Sequence, residues 1–195
     1  GGYVVWQGNS TDGDGFGIVA RRLNSSLSGE LAAFRINEQG AFDQEYPKVA
    51  LLNGGGAVFV WQGGRPGFQN IQARFLAANG TFVTGDIRVN TSTNSNQIGP
   101  DAAVLADGNV ILVWTSFGDG SPRKDVRAQA FSATGQRLGS EFRVNSYEPP
   151  YPYPPLNQRS PRVAALANGN FAVTWVTENV VNFSGEFNST NAATS

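Results

Sequence analysis

Pro47-Lys48-Val49-Ala50-Leu51-Leu52-Asn53-Gly54-Gly55-Gly56-Ala57-Val58-Phe59-Val60-Trp61 reads as two short apolar strands joined by a glycine turn and closed by a tryptophan. The pattern returns at Pro100-Asp101-Ala102-Ala103-Val104-Leu105-Ala106-Asp107-Gly108-Asn109-Val110-Ile111-Leu112-Val113-Trp114. It returns again at Pro161-Arg162-Val163-Ala164-Ala165-Leu166-Ala167-Asn168-Gly169-Asn170-Phe171-Ala172-Val173-Thr174-Trp175. Half a copy, Gly1-Gly2-Tyr3-Val4-Val5-Trp6, opens the chain. Trp6, Trp61, Trp114 and Trp175 are therefore equivalent positions, spaced 55, 53 and 61 residues apart. A fixed period of this size marks a repeat architecture.

Outward from each tryptophan the units continue alike. A glycine-rich polar loop leads to a strand containing Ile18-Val19-Ala20-Arg21, Ile71-Gln72-Ala73-Arg74 or Val126-Arg127-Ala128-Gln129. A turn follows, then a last strand at Phe34-Arg35-Ile36-Asn37, Ile87-Arg88-Val89-Asn90 or Phe142-Arg143-Val144-Asn145. Apolar and polar residues alternate at period two, and no stripe of helical period runs for long. The expected fold is all-β: tandem four-stranded antiparallel units of about 53 residues, like the blades of a β-propeller that is small, open or incomplete. The units fall at about 1–46, 47–99, 100–160 and a partial 161–175, in one repeat domain over 1–175. Residues 176–195 form a tail, a possible donor or linker segment.

The repeated residues resemble the tandem Pro-x-Val-Ala-x-Leu-x-x-Gly…Val-x-Trp units of large secreted microbial surface proteins. That resemblance covers nearly the whole chain and implies an extracellular, blade-like unit with no catalytic residue in the shared motif.

Composition narrows the chemistry. Of 195 residues, 40% are hydrophobic and 15% charged, with 24 glycines and 10 prolines, as suits a glycine-turned β domain. The net charge of −1 supplies no field for nucleic acid, and no apolar run is long enough for a membrane helix. With no methionine, residue 1 reads as the start of a processed product or a fragment. The absence of Cys and His removes thiolate chemistry, imidazole bases, Cys–His zinc sites and a Ser-His-Asp triad. Cofactors are expected to be none.

Among 18 asparagines, six begin an Asn-x-Ser/Thr sequon: Asn9, Asn24, Asn79, Asn90, Asn182 and Asn188. Chance predicts roughly two or three, so exposed glycosylated turns are expected. Asp12-Gly13-Asp14-Gly15 resembles part of a calcium loop, but the second unit lacks its carboxylates. Asp12 and Asp14 thus read as a glycine-rich turn first and as calcium ligands only second. The tryptophans could stack on sugars, yet their common register favours packing. Arg35, Arg88 and Arg143 recur and are expected to make a repeated salt bridge or carbonyl contact between units. Glu148–Pro155, with five prolines in eight residues, reads as an extended surface segment. Carboxylates such as Asp43, Glu45, Asp86, Asp101, Asp107 and Glu141 show no convergence in the sequence.

These features together predict a non-enzymatic, extracellular, glycosylated subunit that assembles head-to-tail with itself into a surface fibril. A lectin-like or adhesin binding module is the alternative.

Overall fold

The computed structural model describes residues 1–9, 12–29, 31–118, 123–146 and 156–179. The described residues form thirteen strands and no helix, so none is long and apolar enough to cross a membrane. The first sheet holds β1 (Gly2–Asn9), β2 (Phe16–Leu23) and β3 (Phe34–Arg35). The second holds β4 (Gln44–Leu51), β5 (Ala57–Gly63), β6 (Asn70–Leu76) and β7 (Ile87–Arg88). The third holds β8 (Gln97–Val104), β9 (Val110–Phe117), β10 (Lys124–Phe131) and β11 (Arg137–Arg143). The last holds β12 (Leu156–Ala165) and β13 (Phe171–Asn179). Within each sheet the strands follow chain order and every pair is antiparallel.

The expected units are present, with one shift. Each first strand begins before the proline, at Gln44, Gln97 and Leu156, and crosses a bulge at Glu45/Lys48, Ile98/Asp101 and Arg159/Arg162. The residue preceding each proline is left-handed: Tyr46 (φ 51°), Gly99 (φ 61°) and Ser160 (φ 55°). The hairpin turns share a second device. In Leu105–Asn109, the Gly108 amide donates to the Leu105 carbonyl and the Leu105 amide to the Asn109 carbonyl. Gly108 sits at φ 85°, which a side chain would resist.

Packing joins the sheets face to face. β5 and β9 are central strands, and their continuous apolar runs are buried on both sides. Ala57, Phe59 and Trp61 face the first unit, packed on Ile18, Ala20 and Ile36. Val58 and Val60 face the other way, with Leu112, Trp114 and Phe131. Ile111 and Val113 repeat the pattern toward Val163, Phe171 and Val173. The second and third units thus each bury one face on the unit before and the other on the unit after.

Polar groups fix this stack in register. Trp61 donates its indole Nε1–H to Gln44 Oε1 at 2.9 Å, and Trp114 does the same to Gln97 Oε1 at 2.9 Å. Asn37, Asn90 and Asn145 are buried, and their side-chain carbonyls accept the amides of Ile18, Ile71 and Val126 at 2.7, 2.7 and 2.8 Å. Between units, the residue after each tryptophan accepts the amide of the next bulge. Tyr46 donates to Gln7 Oε1 (3.1 Å), Gly99 to Gln62 Oε1 (2.8 Å) and Ser160 to Thr115 Oγ1 (3.0 Å).

Candidate functional site at the loop-bearing end of the first strands

The antiparallel register places Gln44 opposite Gly63, so the start of β4 and the β5–β6 loop share one end of the sheet. The short glycine turns lie at the other end. The first strands β4, β8 and β12 lie side by side in sequence order. They carry Glu45 and Lys48, Asp101, and Arg159 and Arg162 respectively. Glu45 is half-buried, and its Oε2 accepts Gln69 Nε2 at 3.1 Å and Gln62 Nε2 at 3.5 Å. Asp101 is half-buried too, and its Oδ2 accepts the Val163 amide at 3.0 Å, tying β8 to β12. These are carboxylates on neighbouring strands, held by neutral donors with oxygen valence to spare.

The other acidic residues are committed to local bracing. Asp12 Oδ2 accepts Asn37 Nδ2 (2.7 Å), and Asp14 Oδ2 accepts the Phe42 amide (3.0 Å). Asp43 Oδ1 accepts the Phe16 amide (3.0 Å). These bonds lash the β1–β2 loop to the linker before β4. Among the described residues no group of three His, Cys, Asp or Glu side chains could hold a metal ion. The Asp12 and Asp14 carboxylates are thus engaged by Asn37 and by the Phe42 amide.

Glu38, Arg74 and Asp86 form a cluster at the junction of the first two units. Arg74 Nη2 meets Glu38 Oε1 at 2.5 Å and Arg74 Nη1 donates to the Ile36 carbonyl at 2.6 Å. Asp86 Oδ2 accepts the amides of Glu38 and Gln39, both at 2.9 Å. Its Oδ1 is buried without a partner, and this burial raises its pKa against the lowering pull of those two amides and Arg74. Glu141, at the equivalent place in the third unit, accepts the Thr91 amide at 2.7 Å. Recurrence identifies this cluster as a clip between units.

The sequence-predicted residues sort accordingly. Trp61 and Trp114 are fully buried, Trp175 is half-buried and Trp6 is partly exposed. Arg35 does not carry the inter-unit contact expected of the recurrent arginines. Arg35 donates to the carbonyls of Asn37 (2.5 Å) and Glu38 within its own unit. The guanidinium groups that cross between units belong to Arg74 and Arg137, the latter donating to the Arg88 carbonyl at 2.5 Å. Arg35 is spent on two carbonyls just beyond it in the chain, whereas Arg74 on β6 and Arg137 at the start of β11 reach across to the neighbouring unit. Arg88 is exposed, and Arg143 also has a partner.

Of the sequons, Asn9 and Asn79 are exposed and Asn24 is half-buried, Asn24 and Asn79 lying within tight turns. Asn90 is different. It is fully buried, and its amide nitrogen donates to Asn70 Oδ1 (2.8 Å) and the Ser92 carbonyl (2.6 Å). The atom a glycan requires is thus enclosed in the fold. Asn182, Asn188, Glu148–Pro155 and the tail from residue 180 lie outside the described residues, while Val176–Glu178 belong to β13. Sequence reasoning missed Gln44 and Gln97, although a constant separation of 17 residues from Trp61 and Trp114 was available to it.

Comparison with known proteins is informative at the level of fold. Neither a family profile nor a curated protein matches the sequence. Solved structures do. The Penicillium chrysogenum α-L-arabinanase complexed with arabinobiose is similar over 95% of this chain and 57% of its own, at 13% identity and TM-score 0.53. A thermostable family-43 glycoside hydrolase is similar over 90% of this chain and 62% of its own, at 12% identity and TM-score 0.52. The Bacteroides ovatus xyloglucan PUL GH43B matches 92% of this chain and 34% of its own, at 17% identity and TM-score 0.50. The chain is a β-propeller-like stack of blades.

These neighbours correct the functional expectation. The non-enzymatic fibril subunit, and the lectin-like or adhesin alternative with it, do not stand, because the three similar solved structures described above are glycoside hydrolases. The physical reason is that recurrence reports packing. Residues that recur in every blade are those that pack blades, whereas a catalytic set draws on residues that differ from blade to blade. Glu45 aligns with Ile98 and Arg159, so recurrence does not mark it.

Proposed function

We propose that this chain forms part of the propeller of a carbohydrate-degrading glycoside hydrolase, with its substrate site at the loop-bearing end of β4, β8 and β12. The observation that carries the reading is the similarity, over 95% of the chain, to an arabinanase solved with arabinobiose. The chain spans 57% and 62% of the lengths of the first two neighbours described above and 34% of the third, so the activity belongs to the propeller as a whole. Hydrolysis of a glycosidic bond calls for two carboxyl groups, one delivering a proton to the leaving oxygen and one acting on the opposite face of the sugar. Glu45 and Asp101 suit those roles: they stand on adjacent first strands, are partly open to solvent and, among the described residues, pair with no cation. An extracellular location, with glycans on the exposed sequons at Asn9 and Asn79, would accord with a polysaccharide substrate.

Release of reducing sugar from arabinan, xylan and xyloglucan tests the proposal. Cleavage of at least one is expected, with a loss of about 100-fold or more in Glu45→Gln and Asp101→Asn, the range for a lost acid–base group. No cleavage, or cleavage indifferent to both substitutions, would overturn it.

A further inference from the structure

The chain contains three Asn-Gly pairs, Asn53-Gly54, Asn79-Gly80 and Asn168-Gly169, and all three lie in the same kind of hairpin turn. In each turn the amide of the fourth residue donates to the carbonyl of the first: Gly55 to Leu52 (2.9 Å), Gly80 to Ala77 (3.0 Å) and Gly169 to Leu166 (3.1 Å). The pairs do not fall at the same place in that turn. Asn79 and Asn168 are third residues, so the glycine after each is the fourth, and its N–H is committed to closing the turn. Asn53 is a second residue. Gly54 is therefore the third, and among the described residues its N–H donates to no acceptor.

The side chains differ in the same sense. Asn79 Oδ1 accepts the Thr81 amide (3.0 Å) and hydroxyl (2.7 Å), and Asn168 Oδ1 accepts the Asn170 amide (3.1 Å). Each is tied back into its own turn. Asn53 reaches outward instead, its Nδ2 donating to the carbonyls of Leu105 (2.9 Å) and Ala106 (3.3 Å) in the corresponding turn of the third unit. Asn53 and Gly54 are both exposed, and a methyl group at Gly54 would meet no atom within 4 Å. An exposed contact between side chain and carbonyl is all that holds the Asn53 amide away from the Gly54 nitrogen.

We infer that Asn53-Gly54 is a site of spontaneous deamidation whose modification unfastens the turn of the second unit from that of the third. The Gly54 nitrogen bonds to Asn53 Cγ, the Cγ–Nδ2 bond breaks, and the Gly54 proton leaves with Nδ2 as ammonia. Water then opens the cyclic imide at either of its carbonyls, leaving aspartate or isoaspartate at position 53. The net change is one water consumed and one ammonia released. The other two pairs can follow this course only by first breaking the main-chain bond that closes their turns. The new carboxylate has no proton to donate to the Leu105 and Ala106 carbonyls and sets a negative charge against them, beside Asp107 of the same turn. This end of the sheets lies opposite Glu45 and Asp101, so the inference stands apart from the hydrolytic reading.

The test incubates the whole chain, made in a host that adds no glycans, in mildly alkaline buffer with and without urea. Peptide mapping follows the gain of about 1 Da at each pair. In the folded chain Asn53 should be modified about 5-fold faster than Asn79 or Asn168, the worth of the hydrogen bond that closes a turn. In urea the three rates should converge, because the turns are gone. Gly54→Ala should suppress modification at position 53, since a Cβ beside the nitrogen hinders its attack, and the open space around Gly54 lets the variant fold. The modified fraction, separated by anion exchange, should unfold at lower urea than fresh protein, while incubated Gly54→Ala protein should not. Equal rates at the three pairs in the folded chain would overturn the assignment of the site. An unchanged urea midpoint in the modified fraction would overturn its effect on the contact between units.

Discussion

The hydrogen bond from Trp114 to Gln97 illustrates how single side chains hold a blade together. A buried indole N–H without an acceptor leaves a desolvated donor, so Gln97→Leu should cost about 1–3 kcal/mol while filling similar space. Urea unfolding of the variant measures this, and a change well under 1 kcal/mol would mean the indole finds another acceptor. Asn90 has a comparable role, completing the Ile71 amide and the Asn70 side chain at once. Intact-mass analysis of protein from a glycosylating host should therefore find Asn90 unmodified even if Asn79 carries a glycan; a glycan on Asn90 in folded protein would contradict the burial. At this scale the sequence was partly legible. Aligned apolar residues announced the tryptophans as core, but a glutamine 17 residues upstream lies in what reads as a linker, and polarity conceals its burial. The sequon at Asn90 misled for the converse reason: its local pattern matched, and only tertiary structure shows where the amide goes.

Among the elements, the first strand departs most from expectation. Alternation placed the strands well, because their faces are set by period two. The prolines suggested that each unit began there, yet pairing runs on through a bulge to Gln44 and Gln97. Proline is tolerated because each of these strands has a paired neighbour on one side only, so a missing amide hydrogen need not break a ladder. The bulge sets the preceding residue at positive φ, which glycine meets easily at position 99 and Tyr46 does not. Left-handed backbone costs a non-glycine residue about 1–2 kcal/mol, against about 0.5–1 kcal/mol for the extra freedom of glycine in the unfolded chain. Tyr46→Gly should accordingly stabilise the protein by about 0.5 kcal/mol, its exposed ring giving up little contact. A thermal melt would register this as a small rise in Tm; a fall would show that the ring or the bulge geometry matters more than backbone strain.

Across the whole molecule, blades are joined by apolar faces and by carboxylate clips, of which Asp86 is the most sensitive to protons. Its pKa is raised, chiefly by burial, so the folded protein keeps this proton to higher pH than the unfolded chain does. The cost of burying the charge is absent in acid and complete above the folded pKa, so stability from this residue declines as pH rises through that interval. Asp86→Asn removes the titration, and its stability relative to the parent should improve from acid to neutral pH. Urea midpoints taken across that range would show it, and a constant difference would exclude the effect. At this scale the blade architecture was legible from period alone, whereas the functional reading was not. Glu45 and Asp101 are brought onto neighbouring strands only when β4 and β8 lie side by side, and nothing in their local sequence distinguishes them from other surface acids. The stacking of each blade on its predecessor also bears on how the chain acquires its structure. Hairpins close over a few residues, but the bonds between blades, such as Tyr46 to Gln7 and Gly99 to Gln62, span 39 and 37 residues. Long separations delay such contacts relative to the hairpins. As synthesis proceeds from the amino end, Phe59 and Trp61 emerge to meet a first blade already made, and Leu112 and Trp114 then meet the second. The fold can thus be laid down in the order of translation, each blade serving as the template on which the next one condenses.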